Sequence, residues 1–288
     1  MQVVEPIFEI RALRQKLSDT VGFVPTMGYV HEGHLTLVRQ ARIENSAVIV
    51  SIYVNPTQFG PREDFGAYPR DINRDLELLR EGGVDVVFVP SDDQMYSPEF
   101  STWVDVENIS EQLEGASRPG HFRGVATVVA KLFNIVQPTK AYFGQKDAQQ
   151  VVVIKRMVAD LNMVIEIVVV PTVRESDGLA MSSRNIYLSP EERKAATVLF
   201  RALTLARQLR LGGEKDAGKI RCQMTALIQK EPLAKTDYVS IADAETMEEL
   251  DLIDRSALAS LAVRIGKTRL IDNISLEQVR HMPLRGSS

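Results

Sequence analysis

The first residues suited to chemistry are two histidines near the start of the chain. His31 and His34 close the segment 25–34, which follows an apolar run and precedes a helical pattern. A helix start offers free backbone N–H groups and a favourable dipole to an anion, and Gly33 lets a ligand approach the backbone. The chain has only four histidines, so two in one turn favour a phosphate site over ordinary surface residues. A zinc site is less favoured, because no third His or Cys lies nearby in the sequence.

A second polar segment, beyond the middle of the chain, places two serines before an arginine. Hydroxyl groups and a planar guanidinium together make a good phosphate-binding set. The same run is common in polar loops, so by itself it fits both interpretations equally. Its residues are Met181, Ser182, Ser183 and Arg184.

A third segment begins with Gly144 and Gln145 and opens a helical pattern after an apolar run. In a phosphate-binding interpretation, Lys146 reaches a phosphate and Asp147 binds a ribose hydroxyl. The structural alternative makes Asp147 a helix cap and leaves Lys146 in solvent. Taken singly, the segment favours that alternative.

Neutral hydrogen-bonding side chains follow another apolar run. Asn55 and Gln58 are suited to the hydroxyl or amide groups of a small substrate, although a turn at Asn-Pro explains Asn55 equally well. Farther along, the predicted loop 121–124 offers Arg123 to a carboxylate or phosphate. His121 in that loop is more often a structural residue.

The elements that must position these residues alternate between strands and helices. Apolar, β-rich runs at 21–25, 47–54, 84–90 and 164–170 predict strands, and periodic patterns at 34–45, 71–82, 124–136 and 148–161 predict helices. Such alternation indicates an α/β fold with a mostly parallel sheet. Ligands bind such sheets outside the carboxyl ends of the strands.

The pattern changes near residue 188, which predicts two domains, 1–187 and 188–288. Ser189 as N-cap and Pro190 at the first helical position predict a long helix to residue 211. A helix at 219–230 and strands at 237–242, 257–265 and 268–274 follow. The second domain is therefore expected to be a smaller α+β module.

Composition narrows the class of protein. The 288 residues carry a net charge of -4 and a pI near 5.7, which gives no global reason to bind nucleic acid. Cys222 is the single cysteine, which excludes a disulfide framework and suits a reducing compartment. No signal peptide and no apolar run of membrane-spanning length is evident. We therefore expect a cytoplasmic protein without membrane partners.

Taken together, the 31–34 and 181–184 segments resemble the HxGH and Lys/Met-Ser-Ser motifs of the class I nucleotidyltransferase superfamily, whose Rossmann-like sheet holds ATP between them. Further stretches narrow the resemblance to the pantoate–β-alanine ligase family, and they cover about residues 21–188 in the expected order. They are VPTMGYVHEGH, VNPTQF, YPR, RPGHFRGVATVV, FGQKDAQQ and PTVRESDGLAMSSRN. Gln145 departs from this pattern, which leads us to expect an acidic residue at that position.

The resemblance implies roles for particular residues. It makes His34 the catalytic proton donor and His31 its phosphate-binding partner, with Lys146 and Arg184 also acting in catalysis. Gln58 and Gln150 hold pantoate, Gln58 also serves β-alanine, and Asn55 and Arg123 complete the substrate set. The implied ATP site consists of Met27, Gly28, Tyr29, Val30, His31, Glu32, Gly33, His34, Gly144, Gln145, Lys146, Asp147, Val173 (through its backbone), Met181, Ser182, Ser183 and Arg184.

The resemblance also implies a reaction and its partners. The enzyme is expected to join pantoate and β-alanine through a pantoyl-adenylate, releasing AMP and pyrophosphate. We expect Mg²⁺ to come with ATP and to be held by phosphates and water rather than by a protein motif. We also expect a homodimer and a C-terminal domain that covers the site. His31, His34, Lys146, Arg184 and Mg²⁺ are expected to supply positive charge and donors. Alternatives are a nucleotidyltransferase with a phosphorylated acceptor, a synthetase-like RNA-binding protein and a non-catalytic nucleotide-binding regulator.

Overall fold

A computed structural model describes residues 1–17, 19–61 and 63–276. The chain divides into two compact units, one of residues Met1–Lys194 and one that begins at Ala195. All predicted phosphate- and substrate-binding residues belong to the first unit. Among the described residues, no helix combines the length and apolar character required to cross a membrane.

The first unit contains a six-stranded parallel sheet. Its order is β1-β4-β3-β2-β5-β6, and every pairing within it is parallel. The predicted Rossmann-like α/β fold is therefore confirmed. The strands are β1 (Gln2–Val4), β2 (Val21–Thr26), β3 (Ala47–Ile52), β4 (Val86–Phe88), β5 (Lys140–Gly144) and β6 (Glu166–Val170).

The sheet order creates a crevice between β2 and β5. The chain runs from β2 to β3 and β4 on one side, and then returns to place β5 on the other side of β2. Such a reversal separates the loops that leave neighbouring strands and forms the usual ligand site of an open α/β sheet. β3 is buried at all six positions, as expected for an apolar, β-branched strand covered on both faces. Val24 and Leu37 pack in the same core as Val50 of this strand.

Helices connect these strands and cover the sheet. Several begin with side-chain caps: Asp71 accepts a hydrogen bond from the N–H of Arg74, and Ser189 accepts one from the N–H of Glu192. The helices of this unit are α1 (Ile7–Lys16), α2 (Glu32–Glu44), α3 (Ile72–Glu81), α4 (Asp92–Met95), α5 (Glu114–Ser117), α6 (His121–Val136), α7 (Ala148–Asp160) and α8 (Pro190–Ala195). β1, α1, α4 and α5 were not predicted.

Several predicted helix boundaries are wrong, including those of the helix expected at 219–230, which spans Ala217–Ile228. α2 begins at Glu32 instead of residue 34, because His31 is its N-cap. α6 begins at His121 and not at residue 124, because Gly120 adopts a left-handed conformation (φ 82°) that starts the helix directly after it. The expected long helix 190–211 is two helices, α8 and α9 (Val198–Leu211), and the boundary between the two units falls at the last residue of α8. No glycine or proline marks that break in the sequence.

The second unit is a small α+β module, as predicted. It contains α9, α10 (Ala217–Ile228) and an antiparallel sheet of β7 (Ala234–Asp243), β8 (Ala257–Ile265) and β9 (Thr268–Ser275). The apolar residues of β8 form its core, among them Ala259, Leu261 and Val263, which are fully buried.

Candidate nucleotide and acid site

The connection from β2 to α2 is held in a strained shape by a buried carboxylate. Gly28 and Tyr29 have positive φ angles of 83° and 50°. Asp75 of α3 accepts the backbone N–H groups of Tyr29 and Val30, both at 2.7 Å, and is only 1% exposed. Burial raises the pKa of Asp75, although these two N–H donors oppose the rise. Asp75 therefore supports this connection.

The side chains of both histidines accept backbone hydrogen bonds at the start of α2. The N–H of Gly33 donates to Nδ1 of His31 at 3.1 Å, and the N–H of His31 donates to Nδ1 of His34 at 3.3 Å. The two rings lie 4.1 Å apart between centroids. Because each Nδ1 accepts a hydrogen bond, the proton of each neutral ring is on Nε2. We call this arrangement the 31–34 turn.

Both histidines are neutral near pH 7. Burial, followed by the charge of Lys146, lowers the pKa of His31 to about 4. Burial and the neighbouring His31 and Lys146 lower the pKa of His34 well below its usual range. Near pH 7 the histidines therefore offer hydrogen-bond donors but not the expected positive charge.

Lys146 lies close enough to both histidines to affect their pKa. It belongs to a 3-10 turn, Gln145–Asp147, that follows β5 and leads into α7. Its side chain is 21% exposed and lies 3.6 Å from Asp147. Asp147 is the N-cap residue of α7, as the structural alternative expects, but its side chain makes no cap hydrogen bond, and Lys146 is not fully solvated. β2 and β5 are neighbours, so the two predicted phosphate segments flank the same crevice.

The Met-Ser-Ser-Arg segment also reaches the 31–34 region. The Ser183 hydroxyl donates to the carbonyl of Tyr29 at 3.4 Å. The Arg184 guanidinium forms two hydrogen bonds of 2.8 Å with Asp64 and lies over the ring of Tyr68. Burial pushes the pKa of Asp64 upward, but the Arg184 hydrogen bonds and charge outweigh it and hold that pKa below its usual value.

Asn55 and Gln58 lie together after β3. Asn55 and the 3-10 turn Pro56–Gln58 form what we call the 55–58 turn. The Asn55 amide donates to the Gln58 side-chain oxygen and to the Gly124 carbonyl, both at 3.2 Å. Gln58 in turn contacts the sulfur of Met27 at 2.9 Å. Neutral acceptors and donors are thus gathered beside the connection that carries the histidines.

Residues of the 118–124 stretch brace the 55–58 turn. Nδ1 of His121 donates to the Gln58 carbonyl at 2.8 Å, and Arg118 lies 3.1 Å from Nε2 of the same ring. Arginine only donates, so the neutral imidazole carries its proton on Nδ1. Burial and the Arg118 charge lower the pKa of His121 to about 4, which keeps the ring neutral. Glu63 accepts two hydrogen bonds from Arg118, at 2.8 and 2.6 Å.

Three further predicted residues are less closely tied to these groups. Arg123 is exposed and its guanidinium lies over the ring of Trp103 at 4.8 Å, so the arginine beside Gln58 is Arg118. Gln150 is half-buried in the first turn of α7. The Val173 carbonyl accepts the N–H of Met181. Their assigned roles stay predictions.

Sequence reasoning missed Glu63, Asp64, Asp75 and the placement of Arg118. Each of these side chains acts through a partner from 45 to 120 residues away in the sequence. Of these residues only Arg118 lies within one of the stretches that carry the resemblance, RPGHFRGVATVV.

These features define the class of protein first. A parallel sheet whose crevice is flanked by a His-x-Gly-His helix start and faced by a Ser-Ser-Arg loop is the arrangement of the class I nucleotidyltransferase superfamily. The profile of the family described as pantoate-beta-alanine ligase matches residues 2–275. The chain therefore belongs to the pantoate–β-alanine ligase family and is an enzyme of that family.

Individual relatives agree with this classification. The chain is 62% identical to the pantothenate synthetase of Roseiflexus castenholzii over 96% of this chain and 100% of that protein. A pantothenate synthetase structure from Thermus thermophilus superposes with a TM-score of 0.92 at 49% identity, covering 96% of this chain and 100% of the other. A pantoate-beta-alanine ligase from Francisella tularensis, complexed with beta-gamma ATP and beta-alanine, gives 0.79 at 35% identity and covers 96% and 98%.

Proposed function

We propose that this enzyme condenses pantoate with β-alanine in two steps, with ATP as the activating substrate. The observation that carries the proposal is the gathering of donors at one crevice: the neutral 31–34 turn, Lys146 whose charge acts on both histidines, and the Ser183 loop bonded to Tyr29. The Francisella relative, complexed with beta-gamma ATP and beta-alanine, supports the same substrates here.

In the first step, a pantoate carboxylate oxygen attacks the α-phosphorus of ATP and pyrophosphate leaves. The Nε2–H groups of His31 and His34 donate to phosphate oxygens, and Lys146 and Arg184 offset the negative charge. Donors that bind the transition state more tightly than the ground state accelerate this step. His34 acts as a hydrogen-bond donor from a neutral ring, which sharpens the expected role of proton donor.

In the second step, the amine of β-alanine attacks the activated carbonyl. The new C–N bond forms as the C–O bond to AMP breaks, and the proton lost from the amine passes to water. Gln58 and Gln150 orient pantoate without adding a charge that competes with its carboxylate, and Asn55 fixes the Gln58 amide. Holding both reactants in place is worth roughly 7–11 kcal/mol in favourable cases.

Mg²⁺ enters this proposal as a companion of ATP. Within the part of the chain that the structure describes, no three His, Cys, Asp or Glu side chains form a ready metal site. We expect the ion to keep phosphate and water ligands, as Mg²⁺ commonly does when it accompanies a nucleotide. When bound, the ion would neutralise charge on the phosphates.

The decisive experiment is ATP–pyrophosphate exchange. Pantoate should trigger exchange in the absence of β-alanine, and adding β-alanine should release AMP and pantothenate. Exchange with a different acid only, or no exchange at all, would contradict the proposed substrate. Formation of a nucleotide-linked product instead of AMP would favour a nucleotidyltransferase.

The cellular setting and assembly belong to the same proposal. We place the enzyme in the cytoplasm, which the single cysteine, Cys222, suits. We expect a homodimer, and light scattering after size exclusion should give twice the 32.1 kDa chain mass. The domain division at residue 188 and the covering role of the C-terminal domain stay predictions.

A further inference from the structure

Two adjacent carboxylates bind two different arginines of the site. Glu63 pairs with Arg118 and Asp64 pairs with Arg184, each through two hydrogen bonds of 2.6–2.8 Å. The four side chains are between 16% and 29% exposed. Paired hydrogen bonds of this kind fix the orientation of a guanidinium as well as its position. Neither carboxylate has a role in the reaction described above.

The Glu63–Arg118 ion pair is connected to Gln58, which is predicted to bind pantoate. Besides Glu63, Arg118 contacts His121 and donates to the Gln58 carbonyl at 3.3 Å. His121 donates to that same carbonyl. Glu63 therefore holds the arginine that, together with His121, fixes the backbone of the substrate-binding glutamine.

The Asp64–Arg184 ion pair lies in the part of the site that is predicted to bind ATP. Asp64 binds the Nε and Nη2 groups of Arg184, which leaves the Nη1 edge directed elsewhere on the same rigid plane. The Arg184 backbone N–H bonds to Ser182, and the neighbouring Ser183 bonds to Tyr29. A carboxylate here adds negative charge near a triphosphate, so its useful contribution is the orientation of the guanidinium rather than the local charge.

We propose that Glu63 and Asp64 are positioning residues for two different substrates: Glu63 positions the acid site through Arg118 and Gln58, and Asp64 positions the ATP site through Arg184. The assignment of the acid rests on the proposed function. The two residues are neighbours in one loop and have nearly equal side-chain exposure, 24% and 26%. Each is therefore the matched control for the other.

The test compares Asp64→Asn with Glu63→Gln, which remove charge and keep shape. ATP affinity is measured by calorimetry without any acid, and the KM values of ATP and pantoate by pyrophosphate exchange. Asp64→Asn should weaken ATP binding by about tenfold and leave the pantoate KM within about twofold. Glu63→Gln should do the reverse. A shift of the same constant in both variants, or a change in thermal stability alone, would overturn the proposal.

Double variants test whether each carboxylate acts through its arginine. Adding Asp64→Asn to Arg184→Ala, or Glu63→Gln to Arg118→Ala, should cause no further loss, because the partner is already absent. An additional loss as large as in the wild-type background would contradict the proposed route. If a neutral variant fails to fold, Asp64→Glu and Glu63→Asp keep the charge, shift the carboxylate, and should show the same split in smaller measure. Failure of the wild type to exchange with pantoate would refute the acid assignment, while the acid-free ATP measurement still tests Asp64.

Discussion

The 31–34 turn and the 55–58 turn present their side chains to one crevice but are stabilised differently. In the 31–34 turn, the histidines accept hydrogen bonds from backbone groups two and three residues away. In the 55–58 turn, Asn55 binds Thr57 locally, but the turn also depends on His121 and Gly124, 63 and 69 residues distant.

The difference determines how far a substitution can act. The hydrogen bonds of the 31–34 turn do not involve α6, so this turn keeps its shape when α6 shifts, whereas the 55–58 turn moves with the helix that braces it. We therefore expect α6 to control pantoate recognition without controlling the histidines. The following experiments are designed to break or sharpen that contrast.

The largest effect is expected for Gly124→Ala. An added Cβ would lie 2.4 Å from the Thr57 carbonyl oxygen and 2.8 Å from the Gln58 Cα, so the 55–58 turn must move. A displacement of about 1 Å near reacting groups costs on the order of a hundredfold. Steady-state kinetics should show such a loss in kcat/KM for pantoate, with the KM of ATP nearly unchanged.

Gly66→Ala is the control for that experiment, because nothing lies within 4 Å of an added Cβ there. A parallel rise of the ATP KM in Gly124→Ala would show that the two turns are not independent.

Next in size are substitutions within the nucleotide side. His34→Ala and Lys146→Ala should each lower kcat by about tenfold or more, because each removes a donor from the developing charge. His31→Asn keeps an acceptor for the Gly33 N–H and preserves a good helix cap, so it separates the loss of the imidazole from loss of the turn. Circular dichroism checks that the variants are folded, and turnover like the wild type in His34→Ala or Lys146→Ala would remove that residue from the mechanism.

Asp75→Asn should affect stability as well as ATP binding. The amide replaces one acceptor oxygen with an NH₂ group, which leaves the N–H of Tyr29 or Val30 without its partner. Urea unfolding should show a loss of about 1–3 kcal/mol, and the KM of ATP should rise more than that of pantoate. Asp71→Asn retains the cap of α3 and should be nearly neutral. Equal effects of the two substitutions would contradict a special role for Asp75.

The smallest effect concerns pH. His121 has a pKa of about 4 when folded, against about 6.5 when unfolded. Between those values the unfolded chain binds more protons, so the contribution of this residue makes stability fall as pH decreases from about 6.5 to about 4. His121→Asn removes that contribution.

The free energy of unfolding should therefore drop less in His121→Asn than in the wild type between pH 7 and pH 5, by about 1.5 kcal/mol. Denaturant titrations at the two pH values measure the difference. An identical drop in both proteins would place the acid sensitivity elsewhere, with the 31–34 turn as the first candidate.

The same contrast explains which parts of the site the sequence could reveal. The 31–34 turn was predicted because its cap, glycine and histidines are contiguous and its hydrogen bonds are local. The phosphate-binding interpretation of Lys146 depends on β5 lying beside β2. Alternating strands predict a parallel sheet but not which strands are neighbours in it. Arg118 and its partner Glu63 could not be assigned, because a polar arginine in a loop gives no indication of a carboxylate 55 residues away.

Strands and helices with a clear local sequence pattern were likewise easier to predict than those without one. β3 was predicted from its continuous apolar run, whereas β1 has only three residues and depends on β4 for its register. The break between α8 and α9 lies in Ala196 and Thr197, two residues that a helix tolerates well enough to hide an interruption.

The hydrogen-bond pattern of the 31–34 turn has a consequence for inhibitor design and for assay conditions. Both Nδ1 atoms already accept hydrogen bonds from backbone N–H groups, so the rings can only donate hydrogen bonds to a ligand. A compound with paired acceptor oxygens, such as a sulfonyl group, matches these donors without carrying a full negative charge. Recognition based on hydrogen-bond direction is screened far less by dissolved salt than attraction between exposed charges. Affinity for such an uncharged group should therefore persist at ionic strengths that weaken the contacts of Lys146 and Arg184 with phosphate.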